Sequence, residues 1–349
     1  MKKLLIISND QFGYLIDTTY YVKYLKDKFK ISILCFDNGL SKIDNGDIET
    51  LYIPNSNFIK KRILLFKFLM KSIKNTDIVL VHYFPLCFIV SLVLDVQLCI
   101  MDIRTGKISA NSFIRISSNL LIKFESLFFS KTSVISSSLR KNLFISKTKS
   151  FILPLGAEEL SNTTKDFSKL KLFYIGKLTE IREIHKTIVG LYRFLSNDLN
   201  NRKNIEYHIV GSGNEESNLK ELVLKLNLSD CVYFYGYKTH IEIKHLWDYC
   251  NIGISFVPKK AGFDLQPPTK TYEYLKSGMF VIATSTYENS KIINQDNGVL
   301  INDTEIDFEK ALYSILKRKN SIDSKLIRDS VLNNSWSNII DKLIGELKI

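Results

Sequence analysis

The chain has 349 residues, 45% of them apolar and 24% charged, with a net charge of +12. That size and balance exclude a disordered or fibrous chain and point to two domains, burying about 70% or more of the surface the unfolded form exposes. Its five cysteines (Cys35, Cys87, Cys99, Cys231 and Cys250) are scattered and never form a CxxC pair, so they read as reduced core residues of a cytoplasmic protein rather than disulfide or zinc partners.

The excess charge is one-sided. Residues 1–155 hold 22 Lys/Arg against 11 Asp/Glu, whereas the remainder holds 26 against 25. A basic first half suits an anionic membrane or a phosphorylated acceptor. Without an aromatic-interleaved basic motif, nucleic acid is not an expected partner.

In chain order, MKKLLIIS reads as a first buried strand. Its apolar run is short, ends at Asn9-Asp10 and lacks a small-residue cleavage site, so it does not read as a signal peptide. Gly13 follows that strand and is a candidate for letting a helix N-terminus approach a sugar or phosphate. FKISILCF, DIVLVHY and VQLCIMDI are the next expected strands. From Phe58 to Lys74, Ile59, Ile63, Phe66 and Met70 recur at helical spacing beside six basic residues. This pattern fits either an ordinary amphipathic helix with solvated lysines or, as the preferred reading, a helix lying in the plane of an anionic membrane surface, peripheral on the inner face of the cytoplasmic membrane. The apolar run from Tyr83 to Leu94 is interrupted by Pro85 and is shorter than the roughly 20 residues that cross a bilayer. It is expected to be a buried helix or strand. His82 is expected to be a core histidine. MDIRTGK carries Asp102, Arg104 and Lys107 to a strand end, where they read either as a structural salt bridge or as candidate acceptor contacts.

The stretch from Ser146 to Lys171 holds a strand and then a polar loop, and is the expected linker. Beyond it LKLFYIGK, IEYHIVGSG, CVYFYGY, NIGISFVP and FVIATS read as strands. Continuous apolar strands separated by helix-length segments predict doubly wound parallel sheets, with ligand sites at the carboxyl ends of the strands. Lys177 and Arg182, in the loop after LFYI, are two fixed cations suited to a diphosphate. The loop from Gly211 to Ser217 reads either as a tight strand-to-helix turn or as a close backbone approach to a phosphate or base, and it lacks the third glycine of a dinucleotide fingerprint. LQPPTKTYEYLKSG sets a Pro-Pro turn before a helix starting near Thr269 or Lys270, with Gly278 as its C-cap. Lys270 and Glu273 would then stand at a helix mouth that attracts anions. SWSNIIDKLIGELKI reads as an amphipathic C-terminal helix. No clustering of metal ligands is evident, and no metal or cofactor is expected.

Taken in order, these segments resemble the GT-B glycosyltransferases of family 4. ILPLG is similar to that family's PNG element, and YIGKLTEIRE to GRLxxxKG, with Lys177 and Arg182 exchanging the usual arginine and lysine. HIVGSGNEESNLKEL, VYFYGY and LWDYCNIGISFVP fit the following blocks. PPTKTYEYLKSGMFVIATS resembles PxKxxEYxAxGxPVIA, and NGVLI the closing block. The resemblance implies an α/β GT-B fold of two facing Rossmann-like domains. Residues 1–155 would bind the acceptor and 156–330 the nucleotide sugar, with 331–349 forming a helix packed back on the first domain. It implies a retaining transfer of a hexosyl or N-acetylhexosaminyl group from a nucleotide-diphosphate sugar. The acceptor would be a saccharide or a polyprenyl-diphosphate-linked oligosaccharide in capsule, O-antigen or exopolysaccharide synthesis. Lys177, Arg182 and Glu273 would carry catalysis, and Gly13, Gly176, Gly211, Gly213, Asp264 and Lys270 would complete the donor site. Leu265 stands where many members carry a sugar-handling glutamate, leaving Asp264 as a displaced substitute. TYENS (286–290) replaces the usual Gly-Gly loop, and Asp102 or Arg104 stands for a first-domain histidine. A nucleotide-sugar epimerase of the same fold and a non-catalytic scaffold are the alternatives.

Overall fold

Two all-parallel sheets organise the chain in a computed structural model that describes residues 1–72, 76–109, 111–260 and 263–347. The chain divides into two compact units, Met1–Gly156 with Trp336–Ile349, and Ala157–Ser335. The first unit carries β1 (Lys3–Ser8), α1 (Ile16–Leu25), β2 (Lys30–Phe36), β3 (Glu49–Ile53), α2 (Phe58–Ser72), β4 (Ile78–His82) and α3 (Ile89–Val93). It continues with β5 (Leu98–Ile103), α4 (Ser112–Ser126), β6 (Lys131–Val134), α5 (Ser137–Asn142) and β7 (Ser150–Ile152). The second begins with β8 (Leu170–Ile175), α6 (His185–Asn197), β9 (Ile205–Val210), α7 (Glu216–Lys225), β10 (Val232–Phe234), α8 (Lys244–Tyr249) and β11 (Ile252–Ser255). It ends with α9 (Thr269–Lys276), β12 (Phe280–Thr284), β13 (Gly298–Ile301), α10 (Glu305–Arg318) and α11 (Ser324–Asp329), before α12 (Trp336–Leu347) returns to the first unit.

The central strands explain the parallel arrangement. Every residue of β4, β5, β11 and β12 is buried, as strands covered by helices on both faces must be. The strand orders are β3-β2-β1-β4-β5-β6-β7 and β10-β9-β8-β11-β12-β13. In the second sheet the winding reverses between β8 and β11, so the loops leaving those two strands diverge and open a crevice at their carboxyl ends. All five cysteines are buried and free. Trp336 of α12 stacks on Tyr20 at 4.7 Å, and Ile340 and Leu343 join Tyr21 and Leu25 in the core of the first unit.

Several elements differ from expectation. The sequence reading gave no strand at β3 or β6. The run 83–94 forms a loop leading into the five-residue α3, with Phe84, Cys87 and Val90 buried but Leu92 exposed. Helix α2, by contrast, forms as expected: it turns Arg62, Leu65 and Leu69 inward and leaves Ile59, Ile63, Phe66 and Met70, the stripe read as a membrane-facing side, outside. Lys74, the end of the expected basic segment, lies outside the described residues.

Candidate functional site

Helix α9 begins where the sequence places it. Pro268, in extended backbone (φ −76°, ψ 121°), occupies the N-cap, no side chain caps the helix, and Gly278 at φ +73° ends it. Such a start leaves first-turn N–H groups open to an anion. The helix is fixed from below: Thr271 exchanges a 2.7 Å hydrogen bond with Ser255 of β11 and donates at 3.0 Å to Asn289. The Tyr274 hydroxyl accepts the Ile175 N–H at 3.0 Å, tying α9 to the end of β8. These bonds hold the helix mouth over the β8–β11 crevice.

Lys270 and Glu273 are the charged groups on its first turns. The Lys270 ammonium lies 4.1 Å above the Tyr174 ring, and a Cβ on Gly176 would meet it at 3.3 Å. Burial first, then the Arg182 charge, pulls this ammonium well below the usual lysine range, while Glu273 works the other way. Glu273 is buried, and its carboxylate accepts no hydrogen bond among the described residues. Burial raises it to about 7, against the opposing pull of Lys270. An apolar-walled carboxyl and two mutually repelling cations are unfavourable when empty. A ligand carrying hydroxyls for one and negative charge for the others relieves both.

Arg182 closes a 3₁₀ turn (Glu180–Arg182) after β8, and its guanidinium lies 4.7 Å from the centre of the Phe263 ring. The next residue, Glu183 at φ +52°, pairs with Lys186 at 2.7 Å and with Lys260. The Tyr174 hydroxyl, below Lys270, donates to the Lys177 carbonyl at 3.2 Å, while the Lys177 side chain is exposed and makes no ion pair among the described residues. The structure therefore joins Arg182, Lys270 and Glu273 electrostatically and brings in Lys177 through its backbone. Tyr174 and Phe263, the aromatic supports of the two cations, were not singled out in the sequence.

The glycine loop has a packing role in the structure, which agrees with its reading as a tight turn. A Cβ on Gly211 (φ +140°) would stand 1.8 Å from the Gly176 carbonyl oxygen, and one on Gly213 would stand 2.0 Å from that of Leu178. Gly176 N–H donates to Val210 and Leu178 N–H to Ser212, so the two loops are laced together. Gly211 and Gly213 thus serve loop-to-loop packing that shapes the site, with no ligand approach needed to explain them. Gly211→Ala should lower the unfolding free energy by about 3 kcal/mol or more, from overpacking plus left-handed strain. A thermal melt within a degree or two of the parent would contradict this packing role.

Asp264 is also engaged: its carboxylate accepts the Tyr287 N–H at 2.7 Å and its carbonyl the Glu288 N–H at 3.3 Å. It pins the TYENS loop, where the buried Glu288 pairs with Lys291 at 2.8 Å. Glu288 is a second buried carboxylate beside this site that sequence reasoning did not single out.

In the first unit, two acceptor candidates prove structural. Asp102 is fully buried at the end of β5. It accepts Ser133 Oγ at 2.5 Å and Tyr21 Oη at 3.1 Å, and lies 3.1 Å from His82 Nδ1. Burial pushes its carboxyl up, but Arg104, His82 and Ser133 outweigh that and hold it below the usual carboxylate range. Arg104 donates to Asp17 at 2.6 Å and to the Leu153 carbonyl at 2.8 Å. The expected acceptor contacts are thus absorbed by a buried network joining β4, β5, β6 and α1. Removing one member leaves the other charges unpaired, so Asp102→Ala should cost about 3–5 kcal/mol in urea unfolding; a loss below about 1 kcal/mol would overturn the assignment. Gly13 also belongs to this unit, and its left-handed backbone (φ +91°) accounts for it as a turn glycine. Among the described residues no group of His, Cys, Asp and Glu could hold a metal ion, and no helix is long and apolar enough to cross a membrane.

Two parallel sheets with a cationic helix mouth at a topological switch point define the class: the chain has the GT-B glycosyltransferase fold. Residues 158–328, nearly all of the second unit, match the family model described as "Glycosyl transferases group 1". Among solved structures, Alr3699/HepE from Anabaena in complex with UDP superposes with a TM-score of 0.77 at 12% identity, covering 99% of each chain. A glycosyltransferase from Rickettsia africae gives 0.74 at 16% identity, over 99% of this chain and 97% of that one. The apo form of the lipopolysaccharide outer core galactosyltransferase WaaB gives 0.70 at 13% identity, over 99% of each. Identities this low speak for the fold alone. No curated protein shows significant sequence similarity to the chain.

Proposed function

We propose that this protein is a retaining family 4 glycosyltransferase. It moves a hexosyl or N-acetylhexosaminyl group from a nucleotide-diphosphate sugar to a saccharide or polyprenyl-diphosphate-linked acceptor in surface polysaccharide synthesis. One observation carries the reading: at the start of α9 the charge of Lys270 is coupled both to Arg182 and to the buried Glu273, whose carboxylate accepts no hydrogen bond among the described residues. In this reading the diphosphate lies between the helix mouth and the cations, and Glu273 accepts hydrogen bonds from ribose hydroxyls. As the bond from the sugar to the diphosphate breaks, negative charge grows on the leaving group. Lys177 and Arg182 stabilise that charge, and no metal ion is required of the site.

The Anabaena protein of the same fold has been solved with UDP and with UDP-glucose, so uridine nucleotides come first among the donors to test. The protein would work in the cytoplasm, held to the inner face of the membrane through the basic helix α2. The test is release of nucleoside diphosphate from a panel of UDP- and GDP-sugars, with and without saccharide acceptors. Acceptor-dependent release with retained anomeric configuration is expected. Sugar isomerisation without an acceptor would assign an epimerase instead, and failure of every nucleotide sugar to bind would end the proposal.

A further inference from the structure

Helix α4 is built inside out. Of its fifteen residues only Ile122, Glu125 and Ser126 are buried, while Phe113, Ile116, Leu120 and Phe124 form a stripe at helical spacing on the opposite side. Phe113 retains 79% of its exposure and Phe124 51%. Soluble helices normally turn such a stripe inward, and a large exposed apolar patch marks an interaction surface.

Two buried charges join this helix to α2. Glu125, fully buried, accepts the N–H groups of Leu86 and Phe88 at 2.9 and 3.3 Å. Arg62, buried on α2, donates to the Pro85 carbonyl at 2.9 Å from the other side. The loop 85–88 is thereby clamped between the helices, and its Phe88 ring lies 5.1 Å from Phe128 and 6.4 Å from Phe124. The outward stripe of α4 and the outward Ile59 and Met70 of α2 therefore flank one rigid loop.

Charge identifies what covers them. Residues 103–149 contain nine Lys/Arg and a single acidic residue, Glu125, which is the buried one. Helix α2 contains no acidic residue, and Lys60 and Lys67 are exposed. A second copy of the chain would bring the same positive charge to the contact and repel. Large exposed apolar side chains on helices that carry lysine and arginine but no exposed acidic residue match an anionic lipid interface, where the rings enter the acyl boundary and the cations meet the headgroups.

We propose that α4 is the apolar anchor of a membrane-docking face that it shares with the cationic α2. The inference rests on the membrane contact proposed above only for the leaflet, and needs nothing from the donor site. The experiment sediments the full chain with vesicles of phosphatidylcholine, alone or with phosphatidylglycerol. Binding to the anionic vesicles is expected, weakened by about tenfold or more in the double variant Phe113→Ser, Phe124→Ser with its melting unchanged. Since both rings are exposed, folding should survive. As a second readout, Phe124→Trp should show blue-shifted emission quenched by brominated lipid. Unchanged vesicle binding by the serine variant, with loss in Lys60→Glu, Lys67→Glu, would confine the contact to α2 and overturn the inference. A wild-type dimer that the serine variant breaks, with no vesicle binding, would assign the face to a second copy and overturn it as well. Nucleotide-sugar cleavage measured on the same variants with a soluble acceptor reads the donor-site proposal separately.

Discussion

Replacing Lys177 and Arg182 together by alanine is expected to lower donor turnover by about a thousandfold or more, while leaving the fold intact. One well-placed donor to a developing anion is worth about a hundred- to a thousandfold in rate, and two acting on the same diphosphate combine less than additively. Folding should survive because Lys177 is exposed with no ion pair among the described residues, and Arg182 contributes only its stacking on Phe263. The single variants should differ. Arg182→Ala also removes the charge that helps pull Lys270 below the lysine range. Lys270 then binds a proton more readily and replaces part of the lost charge near the diphosphate. Lys177→Ala has no such compensation. Steady-state release of nucleoside diphosphate, with melting curves as a control, decides the matter. Activity in the double variant within tenfold of the parent would remove the diphosphate grip from the mechanism.

Most strands of the second unit were legible because they are continuous apolar runs: LKLFYI, IEYHIV and FVIAT appear as β8, β9 and β12, whereas GVLI (β13) was not read as a strand. The strands missed in the first unit lack that signal. In KTSV (β6) only Val134 is apolar, because Ser133 is spent on Asp102 and Thr132 is buried beside it. ETLYI (β3) is an edge strand with only Ile53 fully buried. The pattern of α2 left two readings open, a membrane-facing stripe or an ordinary amphipathic helix, and the stripe proves to be the outward side. The answer depends on Arg62 reaching a carbonyl in the loop after β4.

The site divides along the same line. Proline before a helix start, glycine after its end and a carboxylate one turn in are local features, and α9 forms as they dictate. Partnerships across loops are not local. Nothing near Arg182 in sequence announces Phe263, and nothing in MDIRTGK shows that Asp102 is claimed by Tyr21 and Ser133. Gly211 and Gly213 looked like ligand glycines because the demand for absent side chains is the same whether a phosphate or a neighbouring loop fills the space.

The second large effect is expected at Glu273, where Glu273→Gln should make the unliganded protein more stable above neutral pH and a poorer enzyme. In the folded chain the carboxyl titrates at about 7, raised by burial, whereas an unfolded glutamate titrates near pH ~4.3. Between those values the native state keeps a proton that the unfolded chain has released. Stability therefore falls as pH rises through this window and stays low above it, by on the order of 3 kcal/mol in all. Glutamine cannot ionise, so its variant should lack that decline, with part of the gain offset because Lys270 loses its attracting neighbour. Urea unfolding at pH 5 and pH 8 should show the two proteins nearly equal at the lower pH and the variant ahead at the higher. Activity should move the opposite way. A neutral amide is a weaker acceptor than a carboxylate for ribose hydroxyls, so kcat/KM should drop by about a hundredfold, chiefly through KM. A structural glutamate would show loss of stability on substitution, and a bystander would show neither change. A variant less stable than the parent at pH 8, or fully active, would remove Glu273 from the donor site.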